Sequence, residues 1–311
     1  VNQTTPDALA YAEAAVAFPC AAEVLHGVLA RPAAPRASAA VGVLVVVGGP
    51  QYRIGSHRQF VLLARHLAAH GHAVLRFDVR GMGESGGAQR GFEALNDDIA
   101  AGIGMLMQVD GVERVALWGL CDGASASLLY LDATADPRVA GVALLNPWVR
   151  SPESLARTHV KHYYCERLLQ PAFWGKLLRG GVGLTALREL GANALRALRR
   201  GPGGAALSFQ QRMARAWCRF DGDILVLLSE QDWTAREFQD HLQQSADWQD
   251  ARQHPRLRWE GIAGADHTFA VQEARLQVEA LTVQWLQKMQ SCPSTAGGSN
   301  AHPTERVDEP L

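Results

Sequence analysis

Residues 112–131 read VERVALWGLCDGASASLLYL, and the change of character at their middle decides the fold. The first half is a near-continuous apolar run with β-branched residues, the pattern of a strand covered on both faces. After Cys121 the run becomes helix-like. Strand, sharp turn and helix follow without a spacer, and Gly119 and Gly123 lie two residues either side of Cys121. This is the spacing of a nucleophile elbow. The residue at the apex of such a turn has a strained backbone, so the positions two before and two after must be small to avoid collision. A thiol at the start of a helix also meets the positive end of the helix dipole and free N–H groups, which favour the thiolate. The alternative for Cys121 is a small buried hydrophobe in an ordinary strand-to-helix turn.

Working outward, the same alternation continues in both directions. Two β-like segments, Ala14 to Pro19 and Val24 to Ala30, precede a Pro/Ala-rich loop and the run Val41 to Val47, stopped by Gly48-Gly49-Pro50. Helical spacing over Phe60 to His70 ends at Gly71, a suitable C-cap. The strand AVLRFDV runs into the glycine-rich turn RGMGESGG, and Phe92 to Gln108 is again helical. Beyond the elbow come the strand VAGVALLNP, a long helical stretch, the strand DILVLLSE, a helix, the strand RLRWEGI and a last helix over Val271 to Met289. Strands alternating with helices imply a doubly wound, mostly parallel α/β sheet. From about Trp148 to Phe220 no strand is legible, and this segment (148–220) reads as a helical cap insertion dividing the core into 1–147 and 221–290. Its alternative is a helical layer packed on the sheet. The small, polar residues 291–311 have the composition of a disordered tail.

Composition narrows the function classes. Of 311 residues, 48% are apolar and 20% charged, the balance of a globular protein with a sizeable core. With 30 Lys and Arg against 31 Asp and Glu, the net charge of -1 offers no overall field to hold nucleic acid or an anionic membrane. The longest strongly apolar run is far short of the roughly 20 residues that span a bilayer. Five scattered cysteines without a C-x-x-C pair argue against a disulfide framework. No signal-peptide pattern opens the chain, so the cytoplasm is the expected location. Nothing in the residues requires a metal or organic cofactor. His66, His70 and His72 cluster at a helix end, but no carboxylate or cysteine nearby completes a metal site, so a solvated helix end is expected.

Two further residues join Cys121. Asp232 follows the strand DILVLLSE, and His267 lies in the turn GADHTF after RLRWEGI, so both belong at the C-terminal edge of the sheet, where open α/β sheets gather their ligands. Taken alone, Asp232 is also a good N-cap and His267 a plausible surface-loop histidine.

Over roughly Phe18 to Met289 the chain resembles the α/β-hydrolases, and most closely the exosortase A system-associated hydrolases of type 1. The segments that carry the likeness are GGPQYRIGSHRQF (Gly48 to Phe60), LRFDVRGMGES (Leu75 to Ser85), WGLCDGASA (Trp118 to Ala126), LLNPWVR (Leu144 to Arg150) and GADHTF (Gly264 to Phe269). The order nucleophile, acid, histidine is the one that fold uses. The resemblance implies the α/β-hydrolase fold, a Cys121–His267–Asp232 triad and a small-molecule acyl substrate. A carboxylic ester, thioester or lactone would be cleaved through a thioacyl-enzyme. Acyl transfer by the same triad and a non-catalytic binding role are the alternatives.

The oxyanion hole of such an enzyme needs two N–H donors. The backbone of Asp122 is expected to supply one. Pro50 stands where many relatives have a donor, and proline has none, so Gln51 is expected to supply the second, with Gly49 as the alternative. Tyr52, Arg53, Arg58, Trp148 and Trp233 are candidate substrate contacts. Arg53 or Arg58 would hold an anionic group, unless both merely brace the loop or face solvent. The loop Asp78 to Ser85 resembles the D-x-R-G-x-G-x-S loop of the superfamily and is expected to be architectural.

Overall fold

A computed structural model describes residues 10–33, 40–49, 51–150 and 207–291. Pro50, most of the segment read as a cap, and the tail lie outside these residues, as do Tyr163, Tyr164, Phe173, Trp174 and the arginines between 188 and 200. Among the described residues eight strands form one sheet: β1 (Tyr11–Cys20), β2 (Glu23–Pro32), β3 (Ala40–Val46), β4 (Val74–Phe77), β5 (Val112–Leu120), β6 (Val139–Leu145), β7 (Asp223–Ser229) and β8 (Leu257–Ile262). Their order across the sheet is β1-β2-β4-β3-β5-β6-β7-β8. The pairs β1/β2 and β2/β4 are antiparallel, and every later pairing is parallel. Six α-helices are described: α1 (Gln59–Ala69), α2 (Asn96–Leu106), α3 (Asp122–Thr134), α4 (Phe209–Arg219), α5 (Trp233–Gln244) and α6 (Gln272–Ser291). None is long and apolar enough to cross a membrane.

The continuous apolar runs follow from this arrangement. Side chains alternate across a strand, so a sheet covered on both faces needs apolar residues at every position. In β3, Leu44 and Val46 join one core cluster while Val41, Val43 and Val45 join the other. In β5, Val115 and Leu117 face the first cluster, and Ala116, Trp118 and Leu120 the second. The first cluster draws on α2, α3, α4 and α5, the second on α1 and α6. Each fully buried Val or Leu contributes roughly 1.5–3 kcal/mol, so this two-sided burial outweighs any local preference.

Within the described residues, the strands and helices expected from sequence are present with ends moved by a few residues. Phe92 to Gln108 is the main exception, divided into a 3-10 turn at Phe92–Ala94 and α2. The stretch read as an insertion through residue 220 also closes differently. Its helix α4 is a core element, with Met213 and Trp217 fully buried in the first cluster. Arg212 and Arg215 of α4 pair with Asp132 of α3 at 3.2 and 2.6 Å. A capping box at Ser208 and Gln211 starts the helix, each side chain bonding the other's backbone N–H. Thus α4 belongs to the helical layer packed on the sheet.

Candidate active site

The site is assembled where β3, β5, β7 and β8 end. Cys121 is the single residue between β5 and α3, with φ 58° and ψ -122°. A non-glycine residue in this region is costly, and it persists only where its surroundings over-determine it. Those surroundings are visible. A methyl group at Gly119 would lie 2.5 Å from the carbonyl of Gly123, and one at Gly123 would overlap the carbonyl oxygen of Val46. The Cys121 N–H donates to Leu145 O at 2.8 Å, and its carbonyl accepts from Trp148 N–H at 3.3 Å. The turn is therefore pinned by the neighbouring strand β6 and the chain that leaves it. Ser125 of α3 adds a hydrogen bond to Trp148 O at 2.7 Å.

Asp232 combines its two sequence readings. Its carboxylate caps α5, accepting from the N–H groups of Thr234 and Ala235 at 3.2 Å each. The same Oδ2 faces His267 Nδ1 at 2.8 Å. Burial would raise this carboxyl, but His267 and the two N–H donors bring it below its usual range. Cys121 acts on the same ring: the Asp232 carboxylate and Cys121 together push the imidazole up to about 10, against the effect of its partial burial. Cys121, His267 and Asp232, some 35 to 146 residues apart in the chain, thus come to one edge of the sheet, and the His267–Asp232 hydrogen bond ties two of them together.

Two residues that sequence reasoning missed hold the histidine loop in place. Asn146, fully buried just beyond β6 at φ 43°, donates from Nδ2 to Ser229 Oγ at 2.8 Å and to His267 O at 3.0 Å. Its Oδ1 accepts from Ser229 N–H at 2.9 Å, and Ser229 Oγ donates to Asp266 O at 2.7 Å. The ends of β6 and β7 are so tied to the loop that carries the imidazole. The signal available in sequence was two polar residues ending apolar strands, which also fits plain strand termination.

The Asp122 side chain lies against the loop after β3: a methyl at Gly48 would overlap its carboxylate, and one at Gly49 would lie 3.1 Å from it. Gln51, expected to supply the second oxyanion donor, has its side chain donating to Ser56 Oγ at 3.3 Å. Burial raises the Asp122 carboxyl above its usual range, while nearby backbone N–H groups and the charge of His267 oppose the shift.

The candidate substrate contacts fall into two groups. Arg53 is taken up by ion pairs with Asp78 and Glu84, and its N–H donates to Asp78 Oδ1 at 2.7 Å. It braces its own loop against the Asp78–Ser85 turn, whose Arg80 is locked in turn to Asp98 at 2.7 Å. Arg58 is exposed at the start of α1. Trp148 sits with its backbone on the elbow, and Arg150 stacks 5.0 Å from its ring. Trp233, next to Asp232, is 71% exposed, and Tyr52 is exposed as well. Among the described residues no group of histidines, cysteines and carboxylates has the placement of a metal site.

An eight-stranded, mostly parallel sheet with a strained strand-to-helix apex after β5, an acid after β7 and a histidine after β8 is one known architecture. The chain has the α/β-hydrolase fold. Residues 39–187 match the family model described as serine aminopeptidase, S33. The esterase Pf2001 of Pyrococcus furiosus superposes with a TM-score of 0.58 at 16% identity, covering 93% of this chain and 98% of that one. The α/β-hydrolase GrgF from Penicillium gives 0.58 at 17% identity over 90% of this chain and all of its own. A proline iminopeptidase of Mycobacterium smegmatis gives 0.55 at 16% identity, over 89% and 99%. Comparison with curated proteins returned no match. At these identities the α/β-hydrolase likeness is one of fold, and the chemistry has to be argued from this chain's own residues.

Proposed function

We propose that the chain is an acyl hydrolase that cleaves a carboxylic ester, thioester or lactone through Cys121, His267 and Asp232. The observation that carries the reading is the His267–Asp232 hydrogen bond at the same edge of the sheet as a cysteine held at φ 58° between strand and helix. A histidine oriented by a carboxylate is the base to which a cysteine nucleophile gives up its proton.

In the first half-reaction, the Cys121 sulfur attacks the acyl carbonyl carbon and the carbonyl oxygen becomes an oxyanion. Collapse expels the alcohol or thiol, which takes its proton from His267 Nε2, and a thioester remains on Cys121. Water then attacks that thioester while His267 accepts its proton. The acid leaves, and sulfur departs as thiolate beside a reprotonated imidazole. Asp232 holds the ring by its Nδ1–H throughout and stabilises its charge. A thioester intermediate suits activated esters better than amides. The likeness of Gly48 to Phe60 and Trp118 to Ala126 to the exosortase-associated hydrolases extends the proposal to an association with exopolysaccharide and exosortase systems.

The test is hydrolysis of short and medium p-nitrophenyl esters and acyl-thioesters by the native chain, Cys121→Ala and Cys121→Ser. Activity lost in the alanine variant, with an acyl adduct trapped on Cys121, is the expected result. Activity unchanged in Cys121→Ala overturns the triad. An adduct that forms but is released only to an added alcohol or amine would make the enzyme an acyltransferase.

A further inference from the structure

The loop that carries His267 is closed by an exposed side chain that none of the steps above uses. Asp266 stands directly before His267. Its Oδ1 accepts from Thr268 N–H at 3.1 Å and from Ala270 N–H at 3.0 Å, and the Thr268 hydroxyl donates to the same oxygen at 3.4 Å. A backbone bond from Phe269 N–H to Asp266 O, at 3.2 Å, closes the turn from inside. An aspartate that bonds the backbone two residues on is a common turn former. This one reaches four residues on as well, so the whole segment 266–270 is wound around a single oxygen. Phe269 pays for that winding with φ 52°, a region costly for a bulky residue. Its ring is nonetheless only 3% exposed, in the core cluster that holds Leu63, Trp118 and Val278. The loop is therefore held by an oxygen at the surface and a ring in the core, with His267 between them.

We propose that Asp266 is a positioning residue, whose Oδ1 fixes the peptide plane after His267 and so aims the imidazole at Asp232 and Cys121. That plane is held at both ends. Its carbonyl, His267 O, accepts from Asn146 Nδ2 at 3.0 Å, and its N–H, that of Thr268, donates to Asp266 Oδ1. A peptide unit is rigid, so pinning both ends leaves the His267 Cα one orientation and its Cβ one direction. With the N–H end released, the plane can rotate about its anchored carbonyl and carry the ring away from Asp232. All three side-chain bonds end on Oδ1. The requirement is thus for an accepting oxygen at that point and not for a negative charge beside the imidazole.

This inference rests on the acyl-hydrolase reading, and the experiment separates the two. The native chain, Asp266→Ala, Asp266→Asn and Asp266→Glu are compared for kcat and KM on p-nitrophenyl acetate, and the His267 ring of each is titrated by NMR. Thermal melting of each variant checks that it folds. In Asp266→Ala, kcat should fall at least about tenfold with KM nearly unchanged, because a small misplacement of the base slows the reaction without weakening binding. His267 should titrate about one pH unit or more below its value in the native chain, as its bond to Asp232 loosens. Asp266→Asn, which keeps Oδ1 without the charge, should recover most of both. Asp266→Glu, which keeps the charge on a longer side chain, should recover neither. An Asp266→Ala variant whose His267 titrates as in the native chain, or that turns over as fast as an active native chain, overturns the assignment of Asp266 and leaves the triad standing. Rescue by glutamate and not by asparagine would make the role one of charge and overturns it equally. A titration that falls in Asp266→Ala and recovers in Asp266→Asn, with no ester turnover by any form, upholds the positioning and removes the hydrolase reading. No turnover and no change in titration overturns both.

Discussion

Replacing Asn146 by alanine should damage both stability and the site, because one buried side chain closes three hydrogen bonds. The bonds run to Ser229 Oγ, His267 O and Ser229 N–H, at 2.8, 3.0 and 2.9 Å. Asn146 is fully buried and Ser229 is 2% exposed, so truncation leaves the Ser229 N–H without an acceptor. Each buried hydrogen bond is worth about 1 kcal/mol net, and an orphaned donor costs about another 1 kcal/mol. The backbone adds to this, since φ is 43° and asparagine tolerates the left-handed region better than alanine. Together these give a loss of about 3–4 kcal/mol, and a fall in Tm of roughly 10 °C for a domain of this size. Urea denaturation followed by tryptophan fluorescence measures the first, and thermal melting the second. An Asn146→Gly variant separates the causes, because glycine relieves the φ strain but restores no bond. It should be less destabilised than Asn146→Ala by about 1 kcal/mol. Under the function proposed above, both should lower kcat/KM on an activated ester by tenfold or more, since the His267 loop loses its tie to β6. A loss below 1 kcal/mol for alanine, or a glycine variant weaker than the alanine one, would refute the reasoning.

Two other perturbations have equally definite outcomes. Gly119→Ala places a methyl 2.5 Å from backbone atoms of Gly123, which have no side-chain freedom with which to give way. The turn must open, at a cost of about 2–4 kcal/mol, and alkylation of Cys121 by iodoacetamide should change in rate. A variant of native stability and native labelling would show that the elbow is not tightly packed. The His267 imidazole is raised from its ordinary 6.5 to about 10 by Asp232 and Cys121. A raised value stabilises the folded state in full below pH 6.5, and the contribution is lost as pH rises through about 10. The difference in urea midpoint between the native chain and His267→Gln should therefore be largest at pH 6 and shrink by pH 10. A difference that stays constant over that range would mean that the ring is not charged in the folded protein.

Much of this site could be read along the chain because its parts are local. The elbow at Gly119, Cys121 and Gly123 is a short-range steric requirement, and three positions within five residues suffice to state it. Asp232 and His267 were legible for a related reason, since each follows an apolar strand directly and so falls at one edge of a parallel sheet. Asp232 could not be divided between N-cap and histidine partner from sequence, and the structure gives it both tasks through one carboxylate, whose Oδ2 meets both the Ala235 N–H and His267. Arg53 is the opposite case. Its place in a loop that resembles a hydrolase's active-site loop made it a candidate anion ligand, yet its charge is consumed by Asp78 and Glu84, 25 and 31 residues away.

By itself the sequence determined the α/β architecture, the order of its elements and the three residues at the sheet's C-terminal edge. Strand periodicity, helix spacing and the steric demand of a sharp turn all act over a few residues, and they leave their mark in composition and position. Tertiary structure alone decided what surrounds those residues. The Asn146–Ser229 bridge, the assignment of α4 to the core and the Asp122 carboxylate lying against Gly48 and Gly49 depend on which groups meet across the fold. A buried polar atom takes whichever partner the packing brings within about 3 Å, and that partner can come from anywhere in the chain.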